Sequence, residues 1–133
     1  MSKKVLIVDD ESHIRTLLLQ MLEGFAKSGI ELQTATEGTE AWRLAQSEKP
    51  DLIILDIMMP GLSGYEVCRR VKADPQLSHT HVLVLTAKGQ AVDHQQSLEA
   101  GADEYITKPF DIGDLVRYVA RVLDVQVPEQ FRV

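Results

Sequence analysis

The stretch that decides the fold covers residues 51–61 and reads DLIILDIMMPG. Its four consecutive apolar residues, 52–55, are typical of a strand that is buried on both faces, as in a parallel sheet. Two further runs have the same character, VLIV at residues 5–8 and VLVL at residues 82–85. The alternating segment 31–35 and the segment 103–107, which begins with charges, are predicted to be the two edge strands.

Helical patterns occupy the gaps between these strands. Apolar residues recur at helical spacing from Ile14 to Phe25, and Gly24 and Gly29 mark the end of that helix. A second helix is predicted over 39–47, and a third starts at Ser63. A fourth covers about 90–100, and a fifth starts at about Asp111. Because strands and helices alternate, we predict a doubly wound α/β fold in which five helices flank a parallel sheet of five strands.

The predicted helix over about 90–100 is unusually polar, since residues 93–97 read DHQQS. Two interpretations stay open for it. It is either a solvated surface helix or a weakly anchored element that can move.

Composition limits the function classes. The chain has 133 residues and a net charge of −6, from 20 acidic and 14 basic residues, which argues against direct nucleic-acid binding. No apolar run reaches the 18 residues of a membrane span. The single cysteine, Cys68, excludes an internal disulfide and suits a reducing, cytoplasmic location. We expect one domain over 1–124, with 125–133 as a C-terminal tail or the start of a linker, because Pro128 stops a helix.

Charged and polar residues follow the predicted strands where each strand ends. These residues are Asp9, Asp10, Asp56, Thr86 and Lys108. Strand ends of a doubly wound sheet share one rim, so three carboxylates, a hydroxyl and an ammonium are expected to converge there. Carboxylates this close repel each other, and Mg²⁺ is the usual compensating ion for an all-oxygen ligand set. The four histidines lack the spacing and the cysteine partners of a zinc site.

Each of these residues also has a simpler interpretation. Asp9 and Asp10 are well suited to cap the first helix, because acids favour helix N-termini. Asp56 taken alone fits a turn, and Lys108 before a proline fits a solvated loop. The combination is more specific than its parts, because every member falls at a strand end.

On these residues the chain resembles the receiver domain of two-component response regulators, the CheY-like family. The matching stretches are 5–11, 51–61, 84–87 and 100–110, and the resemblance covers the chain from about 4 to 123. It implies a flavodoxin-like sheet of order 2-1-3-4-5. It also implies a cis peptide between Lys108 and Pro109.

The resemblance implies a role for each matching residue. Asp56 would accept a phosphoryl group and form an aspartyl phosphate. The implied Mg²⁺ site consists of Asp9, Asp10, Asp56 and the backbone carbonyl of Met58, with Asp9 acting through water. Lys108 and Thr86 would bind the phosphoryl oxygens, and Tyr105 would turn inward as Thr86 moves.

The implied function is a signalling switch, not an enzyme, beyond self-phosphorylation from small donors and autodephosphorylation. Its phosphodonor would be a histidine kinase or a histidine phosphotransfer protein. Its output would pass through the fourth helix, the fifth strand and the fifth helix to an output domain or effector protein. Tyr118 and Gln95 weaken the charged dimer pattern of such regulators, which leaves a phosphorylation-dependent dimer open.

Two other functions are weighed against this one. A haloacid-dehalogenase-like Mg²⁺ phosphatase would also use Asp56, but it needs a second aspartate two residues later, where this chain has Met58. A flavodoxin-like FMN binder needs a phosphate loop after the first strand, where Asp9, Asp10 and Glu11 would repel a phosphate.

Overall fold

A computed structural model of the chain describes residues 3–57, 59, 61–87 and 98–132, without the side chains of residues 86 and 87. Its strands are β1 (Lys4–Val8), β2 (Glu31–Ala35), β3 (Leu52–Asp56), β4 (His81–Ala87) and β5 (Glu104–Lys108). All neighbouring strands are parallel, in the order β2-β1-β3-β4-β5. The predicted doubly wound sheet and its implied order are therefore confirmed.

The helices are α1 (Ser12–Leu22), α2 (Gly38–Glu48), α3 (Gly64–Ala73) and a C-terminal helix (Ile112–Leu123). Short 3₁₀ helices cover Glu23–Ser28, Pro75–Leu77 and Glu129–Phe131. Of the predicted helix over 90–100, residues 98 and 99 are helical, and residues 90–97 lie outside the described part of the chain. Among the described helices, none combines the length and the apolar character needed to cross a membrane.

The apolar runs are continuous because both faces of the sheet are covered. Val5 and Ile7 of β1 pack with α1 and the C-terminal helix, whereas Leu6 and Val8 pack with α2 and α3. In β3, Leu52 and Ile54 join the first layer, and Ile53 and Leu55 join the second. Successive residues of a strand point to opposite faces, so a strand between two helical layers needs apolar residues at every position.

Capping side chains begin three of the four described α-helices. Ser63 and Asp111 accept hydrogen bonds from the backbone N–H groups of Glu66 and Asp114, at 3.2 and 2.9 Å. Glu37 accepts in the same way from Glu40 at the start of α2. The first helix ends as an α-helix at Leu22, and its apolar pattern to Phe25 continues into the 3₁₀ helix.

The segment after the C-terminal helix lies against the domain. Val125, Val127 and Phe131 are partly buried against the core layer that contains α1. Arg117 of the C-terminal helix donates a hydrogen bond to the carbonyl of Phe131 at 3.1 Å. A boundary at residue 124 stays a prediction, but the residues after it pack on the domain surface.

Candidate functional site

The strand register gathers the predicted site residues at one rim of the sheet. Val8 pairs with Leu55, so Asp9, directly after β1, lies beside Asp56, the last residue of β3. Lys108 is the last residue of β5 and pairs with Ala87 at the end of β4. The structure brings the carboxylates of Asp9, Asp10 and Asp56 and the ammonium of Lys108 to one edge, whereas the Thr86 hydroxyl lies outside the described atoms.

The carboxylates form a compact cluster. Asp9, Asp10, Glu11 and Asp56 each offer an oxygen, and these four atoms all lie within 4.8 Å of one another. Asp9 is 0% exposed and Asp56 is 5% exposed, whereas Asp10 and Glu11 reach solvent. An all-oxygen set with two buried and two solvent-facing carboxylates suits a hard cation that keeps part of its water shell.

Lys108 supplies the positive charge that opposes this cluster. Its Nζ lies 3.2 Å from Oδ2 of Asp9 and 3.6 Å from Oδ1 of Asp56. Burial lowers the pKa of Lys108, but the attraction of Asp56, Asp9 and Glu11 outweighs that effect, so its pKa lies above the ordinary value. The lysine is therefore a charged partner of both buried aspartates, and the solvated-loop interpretation is wrong. The Lys108–Pro109 peptide is cis, as the resemblance implied.

The turn after β1 is held by its own hydrogen bonds. Oδ1 of Asp9 accepts from the backbone N–H of Glu11 at 2.9 Å, and the carbonyl of Asp9 accepts from Nη1 of Arg15 at 2.8 Å. Helix α1 begins after Glu11, and that N-cap residue makes no side-chain capping bond. Asp9 thus braces the turn within the cluster instead of capping the helix.

Arg15 was not among the predicted site residues. It lies on the first turn of α1 and holds the backbone from which two of the carboxylates project. Its spacing of six residues from Asp9 matches no local capping pattern, so the sequence carried no signal for this contact.

The remaining predicted residues are placed only in part. Thr86 stands in β4 opposite Thr107, but its side chain lies outside the described atoms. Met58 also lies outside the described residues. Tyr105 stands in β5 opposite Val84 and packs, partly buried, against the core layer that contains α2 and α3.

The model of the response regulator receiver domain family matches residues 5–120. This chain belongs to that family. The alkaline phosphatase synthesis transcriptional regulatory protein PhoP of Bacillus subtilis is 43% identical over 131 residues, which are 96% of this chain and 52% of that protein. The receiver domain therefore spans about half the length of the curated relatives that it matches.

Solved structures agree with this assignment. The chemotaxis protein CheY4 of Vibrio cholerae is 34% identical, with a TM-score of 0.79 over 92% of this chain and 99% of that one. The receiver domain of the sensor histidine kinase PA1611 of Pseudomonas aeruginosa is 27% identical, with a TM-score of 0.80 over 93% and 99%. That structure has a magnesium ion coordinated in its active-site cleft.

Membership of the receiver family makes the chain a phosphoacceptor switch of two-component signalling. The phosphatase alternative finds no support, because the matches are to response regulators and receiver domains. The acidic cluster of the described residues is a set that could hold a metal ion.

Proposed function

We propose that Asp56 is the phosphoryl acceptor and that its phosphorylation requires Mg²⁺. The observation that carries this proposal is the Asp56 carboxylate at the rim, with three carboxylates within 4.8 Å and the Lys108 ammonium at 3.6 Å. A buried carboxylate is a poor nucleophile toward an anionic donor unless nearby cations offset the repulsion. Lys108 offers one such cation, and the acidic cluster would hold the other.

The proposed metal ligands are Asp9, Asp10, Asp56 and the backbone carbonyl of Met58. Both carboxylate oxygens of Asp9 already accept hydrogen bonds, from Glu11 and from Lys108. This favours a water-mediated role for Asp9 and direct ligation by Asp10 and Asp56. When bound, Mg²⁺ would neutralise charge on the cluster and on the incoming phosphoryl oxygens.

In the proposed step, a carboxylate oxygen of Asp56 attacks the phosphorus atom of the donor. A new P–O bond forms as the bond from phosphorus to the donor's leaving group breaks, and the leaving group takes that electron pair. The donor would be the phosphohistidine of a histidine kinase or phosphotransfer protein, or a small acyl phosphate. Lys108 would pair with the transferred oxygens, because its Nζ already lies between Asp9 and Asp56.

The switch would run through β4 and β5. The added phosphoryl group brings new charge and acceptor oxygens to the rim, which Thr86 and Lys108 would bind together. Moving a two-state element from 1:99 to 99:1 takes about 5.5 kcal/mol, more than the roughly 1.5–3 kcal/mol of one charge-assisted hydrogen bond. Tyr105 pairs with Val84, two residues before the Thr86–Thr107 pair. It would then relay the change to the output surface that the resemblance implies, namely the fourth helix, β5 and the C-terminal helix.

The proposal makes this domain regulatory, with no chemistry beyond its own phosphorylation and dephosphorylation. Its partners would be the phosphodonor and an output domain or effector protein. Direct DNA binding is not proposed for residues with a net charge of −6. A cytoplasmic location belongs to the same proposal and is supported by the single, buried cysteine. A phosphorylation-dependent dimer stays open.

The test is labelling with acetyl phosphate and Mg²⁺, followed by intact-mass measurement and peptide mapping. We expect one added phosphoryl group on Asp56 and none in Asp56→Asn or in the presence of a chelator. Asp124→Asn is the matched control, because Asp124 is exposed beyond the C-terminal helix, away from the rim. Label that persists in Asp56→Asn, or wild-type protein that takes none, would overturn the proposal.

A further inference from the structure

Helix α2 contributes no side chain to the acidic cluster, yet its first residue touches the loop that follows Asp56. This acceptor loop is residues 57–63, of which 57, 59 and 61–63 are described. A Cβ atom built on Gly38 would lie 1.7 Å from the carbonyl oxygen of Leu62 and 2.5 Å from its carbonyl carbon. Gly38 is buried, so its Cα faces the loop backbone with no room for a methyl group.

The start of α2 touches the acceptor loop at a second point. A Cβ atom on Gly61 would lie 2.7 Å from Oε2 of Glu37, the residue that caps α2. Gly61 also has a φ of +75°, which L side chains rarely adopt. Two loop residues, Gly61 and Leu62, therefore lie close against Glu37 and Gly38 at the start of α2.

The first residue of α3, directly after the loop, is packed against Asp56 itself. A Cβ atom on Gly64 would lie 2.5 Å from the carbonyl oxygen of Asp56 and 2.8 Å from Cα of Ile57. The N–H of Gly64 points to the carbonyl of Ile57 at 3.4 Å. Only Ser63 separates Gly64 from Leu62 in the chain, so the segment 62–64 lies between Gly38 on one side and Asp56 on the other.

We propose that Gly38 is a positioning residue for the phosphorylation of Asp56, acting through the backbone of residues 62–64. The inference rests on the proposed role of Asp56. A methyl group at position 38 needs at least 3.0 Å from the Leu62 oxygen, because real Cβ atoms essentially never approach more closely. The loop backbone and the start of α2 must therefore separate by about 1.3 Å, and Gly64, two residues further, would transmit the loop's share of this movement to the backbone of Asp56.

A displacement of this size is large for a reaction that depends on alignment. Misplacing a reacting group by about 1 Å can cost a factor of about 100 in rate. The carboxylate would still be present and still lie near Lys108, so binding of the donor would change less than the transfer step. We expect Gly38→Ala to lower the maximal rate constant of labelling by about 10- to 100-fold.

The experiment measures the labelling rate constant against acetyl phosphate concentration at saturating Mg²⁺ for wild type, Gly38→Ala and Gly24→Ala. Gly24→Ala is the matched control, because its Cβ would meet side-chain atoms of Pro128 at 3.0 and 3.1 Å, away from the acceptor loop. Loss of folded protein reduces the final extent of labelling, whereas misplacement of Asp56 reduces the rate constant of the molecules that do react. We expect Gly38→Ala to show the second effect and Gly24→Ala to stay within about twofold of wild type.

Each outcome decides one question. Wild-type labelling at Asp56 with an unchanged rate constant in Gly38→Ala would overturn this inference and leave the proposed function intact. Wild-type protein that takes no label would overturn the proposed function instead. If Gly38→Ala does not fold, Gly61→Ala decides, because the atoms nearest its Cβ are side-chain atoms, Oε2 of Glu37 at 2.7 Å and Oγ1 of Thr39 at 3.7 Å. A slower rate constant in folded Gly61→Ala supports the inference, and a wild-type rate constant overturns it.

Discussion

Replacing Asp56 with asparagine is expected to stabilise the metal-free domain while abolishing its labelling. The substitution removes one negative charge from a cluster of four carboxylates that faces a single lysine within 4 Å in the described structure. Lys108 keeps its closer partner, Asp9, at 3.2 Å. The cost of burying Asp56 as an ion at 5% exposure disappears as well.

The size of the effect follows from the distances. With an effective dielectric constant of 20, the lost attraction between Lys108 and Asp56 at 3.6 Å is about 4.6 kcal/mol, and the relieved repulsion with buried Asp9 at up to 4.8 Å is at least about 3.5 kcal/mol. Asp10 and Glu11 are exposed, so solvent screens their charges, and each adds about 1 kcal/mol to the relieved repulsion. These charge terms among the described residues nearly cancel, and on them alone the relieved desolvation decides the sign. After allowing about 1–3 kcal/mol for the polar amide that remains buried, we expect a net gain of about 1–3 kcal/mol.

Urea unfolding followed by circular dichroism measures this difference, first with a chelator and then with Mg²⁺. With a slope of about 2 kcal/mol per molar urea, the midpoint of Asp56→Asn should rise by about 0.5–1.5 M in the chelator. Saturating Mg²⁺ should then stabilise wild type by about 2.7 kcal/mol at 100 times its Kd, and Asp56→Asn by much less. Asp124→Asn changes the net charge equally and should do neither. The reasoning fails if Asp56→Asn is less stable than wild type in chelator while Asp124→Asn is unchanged.

Four further predictions test separate parts of the structure. Asp10→Asn should weaken Mg²⁺ binding at least about tenfold in a calorimetric titration, since Asp10 is proposed to ligate the ion directly; an unchanged titration contradicts that role. Thr86→Ala should accept phosphate but give a smaller change in its NMR spectrum on labelling, and a full wild-type change would exclude Thr86 as the coupling residue. Phe131→Ala should cost about 1–2 kcal/mol of unfolding free energy, because its ring packs, half-buried, on the core; no loss would mean that the segment contributes nothing. Burial raises the pKa of the Cys68 thiol to about 11, so at pH 8 only about one molecule in a thousand carries the thiolate. Its alkylation should rise about tenfold per pH unit up to that pKa and should become fast in urea, and rapid alkylation of folded protein at pH 8 would contradict the burial.

The strands were predictable because a parallel sheet between two helical layers requires apolar residues at every strand position, and such runs are visible in the sequence. Residues 52–55 are apolar at every position, and each one contacts a helix on one face or the other. The rim was predictable for a related reason, since residues that end parallel strands are brought together by the fold itself. Asp56 and Lys108 are 52 residues apart in the chain but 3.6 Å apart in space.

Contacts that depend on exact distances have no such pattern in the sequence. The hydrogen bond from Arg15 to the carbonyl of Asp9 joins a side chain to a backbone atom. Every residue has the same backbone carbonyl, so the sequence does not indicate which one accepts the bond. The same holds for Gly38, whose importance comes from a carbonyl group 1.7 Å from where its Cβ would be. The packing of Val125, Val127 and Phe131 was also hidden, because an irregular segment docks without a helical or alternating pattern.

The site therefore combines two kinds of constraint with opposite effects on stability. The acids at the rim repel each other, so a variant that loses one of them is expected to gain stability and lose function. Gly38 and Gly64 lie behind the rim, where close backbone packing fixes the position of Asp56. Binding of a cation is favoured by the first constraint, because the cation relieves the repulsion, and the reacting groups are aligned by the second. Losing an acid and displacing the acceptor loop should therefore be separable in experiment: the first changes the response of stability to Mg²⁺, and the second changes the rate of labelling.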